Sequence, residues 1–245
     1  MTTTTESSLK KLHTRVVPGA PVTARDLANL GISADLAGYY VRAGWLLRLG
    51  RGVYAHPATQ LDLHASLSLL ERQFPGLHVG GKTALDWQGV RQFVMQGSAL
   101  QLYGWAAGRL PDWFAARFPS EYHRKRLFQE EPAALLHVGP LHRRSGAPSV
   151  SAPERAMLEM LSEVGVRQAL QEARELVESS YALRSEVLGE LLLRCTGVKT
   201  VRLCLQLGRE VAAPWVSKLE GLALPTGSAR PWVSRSDEGL LVLKA

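Results

Sequence analysis

The sequence predicts an α+β fold, with a small helix-and-hairpin unit at the amino end, a mixed α/β region after it and a helical carboxy-terminal half. Three observations predict it. Apolar residues recur at helical spacing from Leu9 to Val41 and again beyond Ser151. Short apolar runs bounded by Gly and Pro lie between Trp45 and Val138. The third is charge: 29 Lys and Arg against 22 Asp and Glu leave a net +7, spread unevenly. Residues 1–60 carry seven basic against three acidic groups, a net +4; residues 61–150 carry ten against seven, and residues 151–245 twelve against twelve. Such an excess asks for an anionic partner, and its placement puts that partner at the amino end.

Taken in order, Leu9, Leu12 and Val16 predict a first helix ending near Pro18. Thr23 is an N-cap for a short second helix with Leu27, Ala28 and Leu30 apolar and Gly31 as its stop. Ser33 caps a third helix that runs to about Ala43. Leu36, Ala37, Tyr40 and Val41 share its inner face, while Asp35, Gly38, Tyr39 and Arg42 share the outer one. After Gly44, Trp45–Leu49 and Val53–Ala55 read as strands joined by Gly50-Arg51-Gly52, a hairpin with arginines at and beside its tip. This order of elements is that of a winged helix-turn-helix, whose second paired helix presents its outer face to a DNA major groove.

That placement nominates Lys10, Lys11, Arg25, Ser33, Tyr39, Arg42, Arg48 and Arg51 as residues that contact double-stranded operator DNA. Phosphate contacts from Lys10, Lys11, Arg25, Arg48 and Arg51 would supply most of the affinity. The Ser33–Ala43 helix would supply register and base readout. Gly50 and Gly52 let the wing arginines come close to a phosphate backbone or minor groove. Asp35 would repel phosphate and is assigned to capping its helix.

Beyond the hairpin, residues 61–74 predict a helix broken by Pro75-Gly76. Strands are expected at Leu77–Val79, Leu100–Tyr103, Arg126–Phe128 and Ala134–Val138, with a small helix around Asp112–Phe118 and a turn-rich connector at Ser145–Val150. Ser151 and Glu154 read as a capping box opening a helix striped by Met157, Met160 or Leu161, and Val164. Further stripes mark Val166–Val177, Ser185–Arg194 and Val198–Val211, a small helical bundle packed on the mixed sheet. A Pro- and Gly-containing tail from Gly221 ends in a strand at Leu240–Leu243. The expected domains are residues 1–60 for DNA binding and residues 61–245 as an α+β effector, with a sub-boundary near 145–150.

Several classes are excluded. No apolar run approaches the roughly 20 residues of a membrane-spanning helix, and residues 1–12 hold no apolar signal segment, so a cytoplasmic protein is expected. Cys195 and Cys204 suit neither a disulfide framework nor a zinc site and are expected to be reduced core residues. His13, His56, His64, His78, His123, His137 and His142 include no H-E-x-x-H, and no G-x-S-x-G is present. No catalytic residue, metal or cofactor is therefore expected.

Gly76-Leu77-His78-Val79-Gly80-Gly81-Lys82-Thr83 fits G-x-x-x-x-G-K-T, but a helix rather than a strand precedes it and its variable positions are strand-like. A strand turning into a helix at Thr83 is the plainer reading. Arg124-Lys125-Arg126 and His142-Arg143-Arg144 read as solvated surface, with a DNA-flank contact as the alternative. Trp45, Trp87, Trp105 and Trp113 read as packing residues.

The run Gly44-Trp45-Leu46-Leu47-Arg48-Leu49-Gly50-Arg51-Gly52-Val53-Tyr54 resembles the amino-terminal domain of the AbiEi antitoxins, winged-helix proteins of bacterial abortive-infection operons. His78-Val79-Gly80-Gly81-Lys82-Thr83-Ala84-Leu85, followed by Gly89, is similar to the small-residue segment of that family's second domain, and Ser151-Ala152-Pro153-Glu154-Arg155-Ala156 to its S-x-P-E-R-A helix start. The resemblance implies a repressor that binds inverted repeats in its own promoter. It also implies an antitoxin that counteracts a nucleotidyltransferase-type toxin without a stable complex, a role left to the second domain. Two rivals stay open: a winged-helix regulator that senses a ligand through residues 61–245, and a P-loop nucleotide-using enzyme.

Overall fold

The computed structural model describes residues 10, 12, 14–57, 60–90, 99–129, 135–142, 146–236 and 239–243. In chain order its elements begin with β1 Val22–Thr23, α1 Ala24–Asn29, α2 Ala34–Arg42, β2 Leu47–Gly50, β3 Val53–Ala55 and α3 Leu63–Gln73. They continue with β4 His78–Val79, α4 Gly81–Trp87, β5 Leu100–Gly104, α5 Asp112–Ala115, β6 Ser120–Arg124, β7 Val138–Pro140 and β8 Ser149–Ser151. The last are α6 Pro153–Ser162, α7 Leu170–Ser179, α8 Ser185–Leu193, α9 Val198–Glu210, α10 Val216–Leu219, β9 Trp232–Ser236 and β10 Gly239–Leu243. Contacts gather Met1–Pro75, Gly108–Ser120 and His142–Pro148 into one unit, and Gly76–Ala107, Glu121–Leu141 and Ser149–Ala245 into another. The units interleave in sequence.

The first unit is built on one small core. Leu12, Val16, Leu27, Ile32, Ala37, Tyr40 and Leu46 form a single cluster, each between 0% and 3% exposed. Lys10, Leu12, Thr14 and Arg15 are helical, and Leu12 and Val16 point inward as the apolar spacing requires. The sheet has the order β1-β3-β2. Its outer strand β1 was not expected, because two residues carry no period. It pairs antiparallel to β3 through Val22↔Tyr54 and Thr23↔Val53.

The second unit holds a five-stranded sheet, β6-β5-β4-β8-β7. β4 runs antiparallel to β5 and parallel to β8, and β8 runs antiparallel to β7. Two expectations shift here. The strand predicted at Arg126–Phe128 lies instead at Ser120–Arg124, and Phe128 makes only an isolated bridge to Cys195. Polar residues fill that strand, so no apolar alternation marked it. Within the predicted connector, Ser149–Val150 belong to the interior strand β8, because Val150 is buried between β4 and β7. Of the strand predicted at Ala134–Val138, residue 134 lies outside the described residues, and the observed strand begins at Val138.

Helix α6 is buried on every side, Glu154, Arg155 and Glu159 included. The expected capping box does not form. Ala152 is the N-cap and has no side-chain cap bond; Ser151, the last residue of β8, donates its Oγ to Glu159 Oε2 at 2.8 Å. Glu154 accepts instead from the Arg184 backbone N–H at 2.8 Å and from its guanidinium Nε at 2.9 Å. At the other end of α6, Lys199 Nζ bonds the carbonyls of Ser162 and Val164 at 3.0 and 2.8 Å, satisfying groups that a helix leaves open.

Around α6, helices α7–α10 supply Ala173, Val177, Leu188, Leu191, Leu203 and Val216 to one apolar cluster. The stripe predicted from Val166 starts later, at Leu170, and Val166 is 74% exposed. The tail is more ordered than its composition implied. β9 and β10 pair antiparallel, and the buried Arg202 guanidinium donates to the carbonyls of Thr226, Ser228, Arg230 and Leu243. Cys195 and Cys204 are free and buried, and burial pushes the Cys195 thiol up to about 11. Among the described residues no helix is long and apolar enough to cross a membrane.

Candidate nucleic-acid interface

The helix-turn-helix is fixed by its own caps. Thr23 Oγ1 accepts the Asp26 N–H at 3.1 Å while Asp26 Oδ2 accepts the Thr23 N–H at 2.8 Å, a reciprocal capping box at the start of α1. Burial works against the charge on Asp26, but these bonds and the Arg72 guanidinium at 3.3 Å lower its pKa below the usual carboxylate range. At the other end of α1, Gly31 adopts φ +78 and the Ile32 N–H bonds the Leu27 carbonyl at 3.0 Å. A residue with a side chain is disfavoured at that φ.

Ser33 then caps α2, its Oγ accepting the Leu36 N–H at 3.2 Å. Asp35, assigned as a cap from sequence, is not one. It stands exposed in the first turn, where a carboxylate complements the helix dipole. Ala37 and Tyr40 are buried, and Asp35, Tyr39 and Arg42 are exposed. Tyr39, 47% exposed, meets the Trp45 ring edge-on at 6.0 Å, which holds the phenol on the outer face.

In the hairpin, β2 and β3 pair through Leu47↔Ala55, Arg48↔Tyr54 and Gly50↔Val53, with a bulge between Arg48 and Gly50. Gly52 takes φ +69, and its carbonyl accepts the Ala24 N–H at 2.8 Å, tying the tip to the start of α1. Arg48 and Arg51 are exposed, and Arg48 Nε donates to the Gly50 carbonyl at 3.4 Å. A Cβ on Gly50 would lie 3.3 Å from Trp113 Cδ1, so this glycine also leaves room for the indole. Sequence reasoning missed that contact because Trp113 lies far along the chain, and spacing carried no signal of it.

Of the nominated residues, Arg25, Ser33, Tyr39, Arg42, Arg48 and Arg51 all sit on the helix-turn-helix or its hairpin and are exposed, as is Lys10 ahead of them. Lys11 lies outside the described residues, as do Arg143 and Arg144. Among the described residues, Lys10, Arg25, Arg42, Arg48 and Arg51 enter no ion pair. The described part of this unit therefore presents exposed cations outside any ion pair.

The remaining motifs have structural duties. In the G-x-x-x-x-G-K-T string, His78-Val79 are strand and helix α4 starts at Gly81, two residues before the expected Thr83. A Cβ on Gly76 would lie 2.7 Å from the Trp105 indole, and one on Gly80 would collide with Glu159. The N–H groups that would cradle phosphate are taken: Gly81 donates to Glu159 Oε2 at 3.2 Å and Lys82 to Gln101 Oε1 at 2.7 Å. Lys82 Nζ bonds Glu172 at 2.9 Å. An internal carboxylate thus occupies the place of an anion. In Arg124-Lys125-Arg126, Lys125 is not solvated surface, because its Nζ bonds Glu163 and, at 3.0 Å, Ser162 Oγ. Arg126 lies over the Trp105 ring at 5.2 Å.

A family model described as "Transcriptional regulator, AbiEi antitoxin N-terminal domain" matches residues 5–96, and one described as "Transcriptional regulator, AbiEi antitoxin, Type IV TA system" matches residues 97–244. Among solved structures, the crystal structure of RV2827C protein from Mycobacterium tuberculosis is similar, with TM-score 0.56 and 19% identity, covering 96% of this chain and 89% of that one. That likeness is one of fold. No curated protein matches the chain.

Proposed function

The chain belongs to the AbiEi family of type IV toxin–antitoxin transcriptional regulators, and from that membership we propose that it represses its own operon and counteracts a nucleotidyltransferase-type toxin. The observation that carries the first half is the set of exposed cations that the described part of the winged helix holds outside any ion pair. Tyr39 and Arg42 lie on the outer face of α2, and Arg48 and Arg51 on the hairpin. Helix α2 enters the major groove of inverted repeats in the promoter. Lys10, Lys11, Arg25, Arg48 and Arg51 hold phosphates, and Tyr39, Arg42 and the Ser33 end of α2 set register and base contact. DNA contact falls to residues 1–60 and the antitoxin task to residues 61–245, exercised in the cytoplasm without a stable toxin complex. The interior use of the G-x-x-x-x-G-K-T segment supports a regulator over a nucleotide-using enzyme.

Co-expression with a nucleotidyltransferase-type toxin tests both halves. The full chain restores growth and silences a promoter reporter. Arg48→Ala with Arg51→Ala still restores growth but releases the reporter. Growth that stays arrested with the full chain contradicts the antitoxin half, and a reporter that stays silent in the double variant contradicts the wing's part in repression.

A further inference from the structure

We propose that Trp113 is a positioning residue for the wing: its indole seats the strand that carries Arg48 and sets where the two hairpin arginines are held. The inference rests on reading that hairpin as a DNA contact. β2 is an edge strand in the order β1-β3-β2, so only one of its sides is held by a described ladder. That ladder is interrupted, since the register shifts between Arg48 and Gly50. A bulge bends and twists its strand, which leaves the direction of Arg48 underdetermined by pairing alone.

Trp113 supplies the missing constraint. Its Cδ1 lies where a Cβ on Gly50 would be only 3.3 Å away, so the indole rests on the backbone of the last residue of β2. The indole is 6% exposed and meets Phe114 edge-on at 5.8 Å and 88°, and Phe114 in turn packs on Phe118 at 5.1 Å. The Arg117 guanidinium closes the segment on the Trp113 carbonyl at 3.0 Å. On the other side of the tip, the Ala24 N–H holds the Gly52 carbonyl. Arg51 therefore stands in sequence between two anchored glycines, one fixed by α1 and one by Trp113. The anchoring helix α5 lies between β5 and β6 in sequence, so the wing's seat comes from outside residues 1–60.

The test measures binding of full-length chains to promoter DNA. Trp113→Leu and the pair Arg48→Ala/Arg51→Ala each weaken binding, on the order of tenfold for lost phosphate contacts. Combined, they bind no more weakly than the arginine pair alone, because a mispositioned wing has nothing further to lose. Trp113→Leu combined with Arg42→Ala on α2 multiplies the two losses, and Trp113→Phe recovers most of the affinity. If Trp113→Leu fails to fold, Gly50→Ala, whose Cβ presses on the indole, shows the same pattern against the arginine pair. Losses that multiply with the arginine pair overturn the positioning role while leaving the wing contact standing. An arginine pair that binds like the parent overturns the wing contact, and this inference with it.

Discussion

Glu159 carries its charge inside the second unit at 1% exposure. Burial alone would raise its pKa, but His78 and Arg155, at 2.8 and 2.7 Å from Oε1, overcome that and hold it at about 2 instead of its ordinary 4.5. A carboxylate depressed in the folded state stabilises that state above its unfolded pKa and loses the contribution as pH falls through the folded one. The window here runs from 4.5 down to about 2, and the shift corresponds to about 3 kcal/mol. Glu159→Gln is therefore expected to destabilise the fold near neutral pH and to flatten the acid limb of a denaturation series. Glu163, also held at about 2, leaves the variant a residual slope. An acid limb unchanged in Glu159→Gln contradicts this account of the network. The S-x-P-E-R-A string was legible as a helix start, but its work was not. Ser151 and Arg155 serve Glu159, and Glu154 serves Arg184. Ser151 reaches from β8 to Glu159 on α6, and Glu154 meets Arg184 thirty residues on, so local spacing misassigned Ser151 and Glu154 to a cap.

At the scale of elements, the helix-turn-helix was readable because its determinants are local: Thr23, Gly31 and Ser33 act within a few residues of themselves. Ser33→Ala removes the acceptor for the Leu36 N–H from an exposed helix end, at a cost of about 1 kcal/mol. Thermal unfolding is expected to shift down by a few degrees, and a midpoint equal to the parent's contradicts the capping role. Where an element depends on distant partners, sequence said less. β1 exists because β3 offers it an edge, and β8 because β4 and β7 flank it. The polar strand β6 hid its single buried side chain, His123. The hairpin was legible as a shape, and its seat on Trp113 was not.

Over the whole molecule, the uneven charge seen in the sequence becomes a difference in pairing. The neutral carboxy-terminal half closes many of its charges on each other, as in Arg155–Glu159, Arg184–Glu154, Arg209–Glu220 and Lys218–Glu186. The amino-terminal unit spends Asp26 on Arg72 and leaves Arg25, Arg42, Arg48 and Arg51 outside any ion pair among the described residues. Cations left so can displace the counterions of a phosphate backbone without first breaking an internal ion pair. The most direct test is the salt dependence of promoter-DNA binding by the full-length chain and by Arg48→Ala/Arg51→Ala. Each phosphate contact contributes about 0.9 to the slope of log affinity against log salt, so losing two should make the slope shallower by roughly 2. Weaker binding with that shallower slope is the predicted result, and identical slopes for the two proteins would contradict the assignment of the wing to DNA.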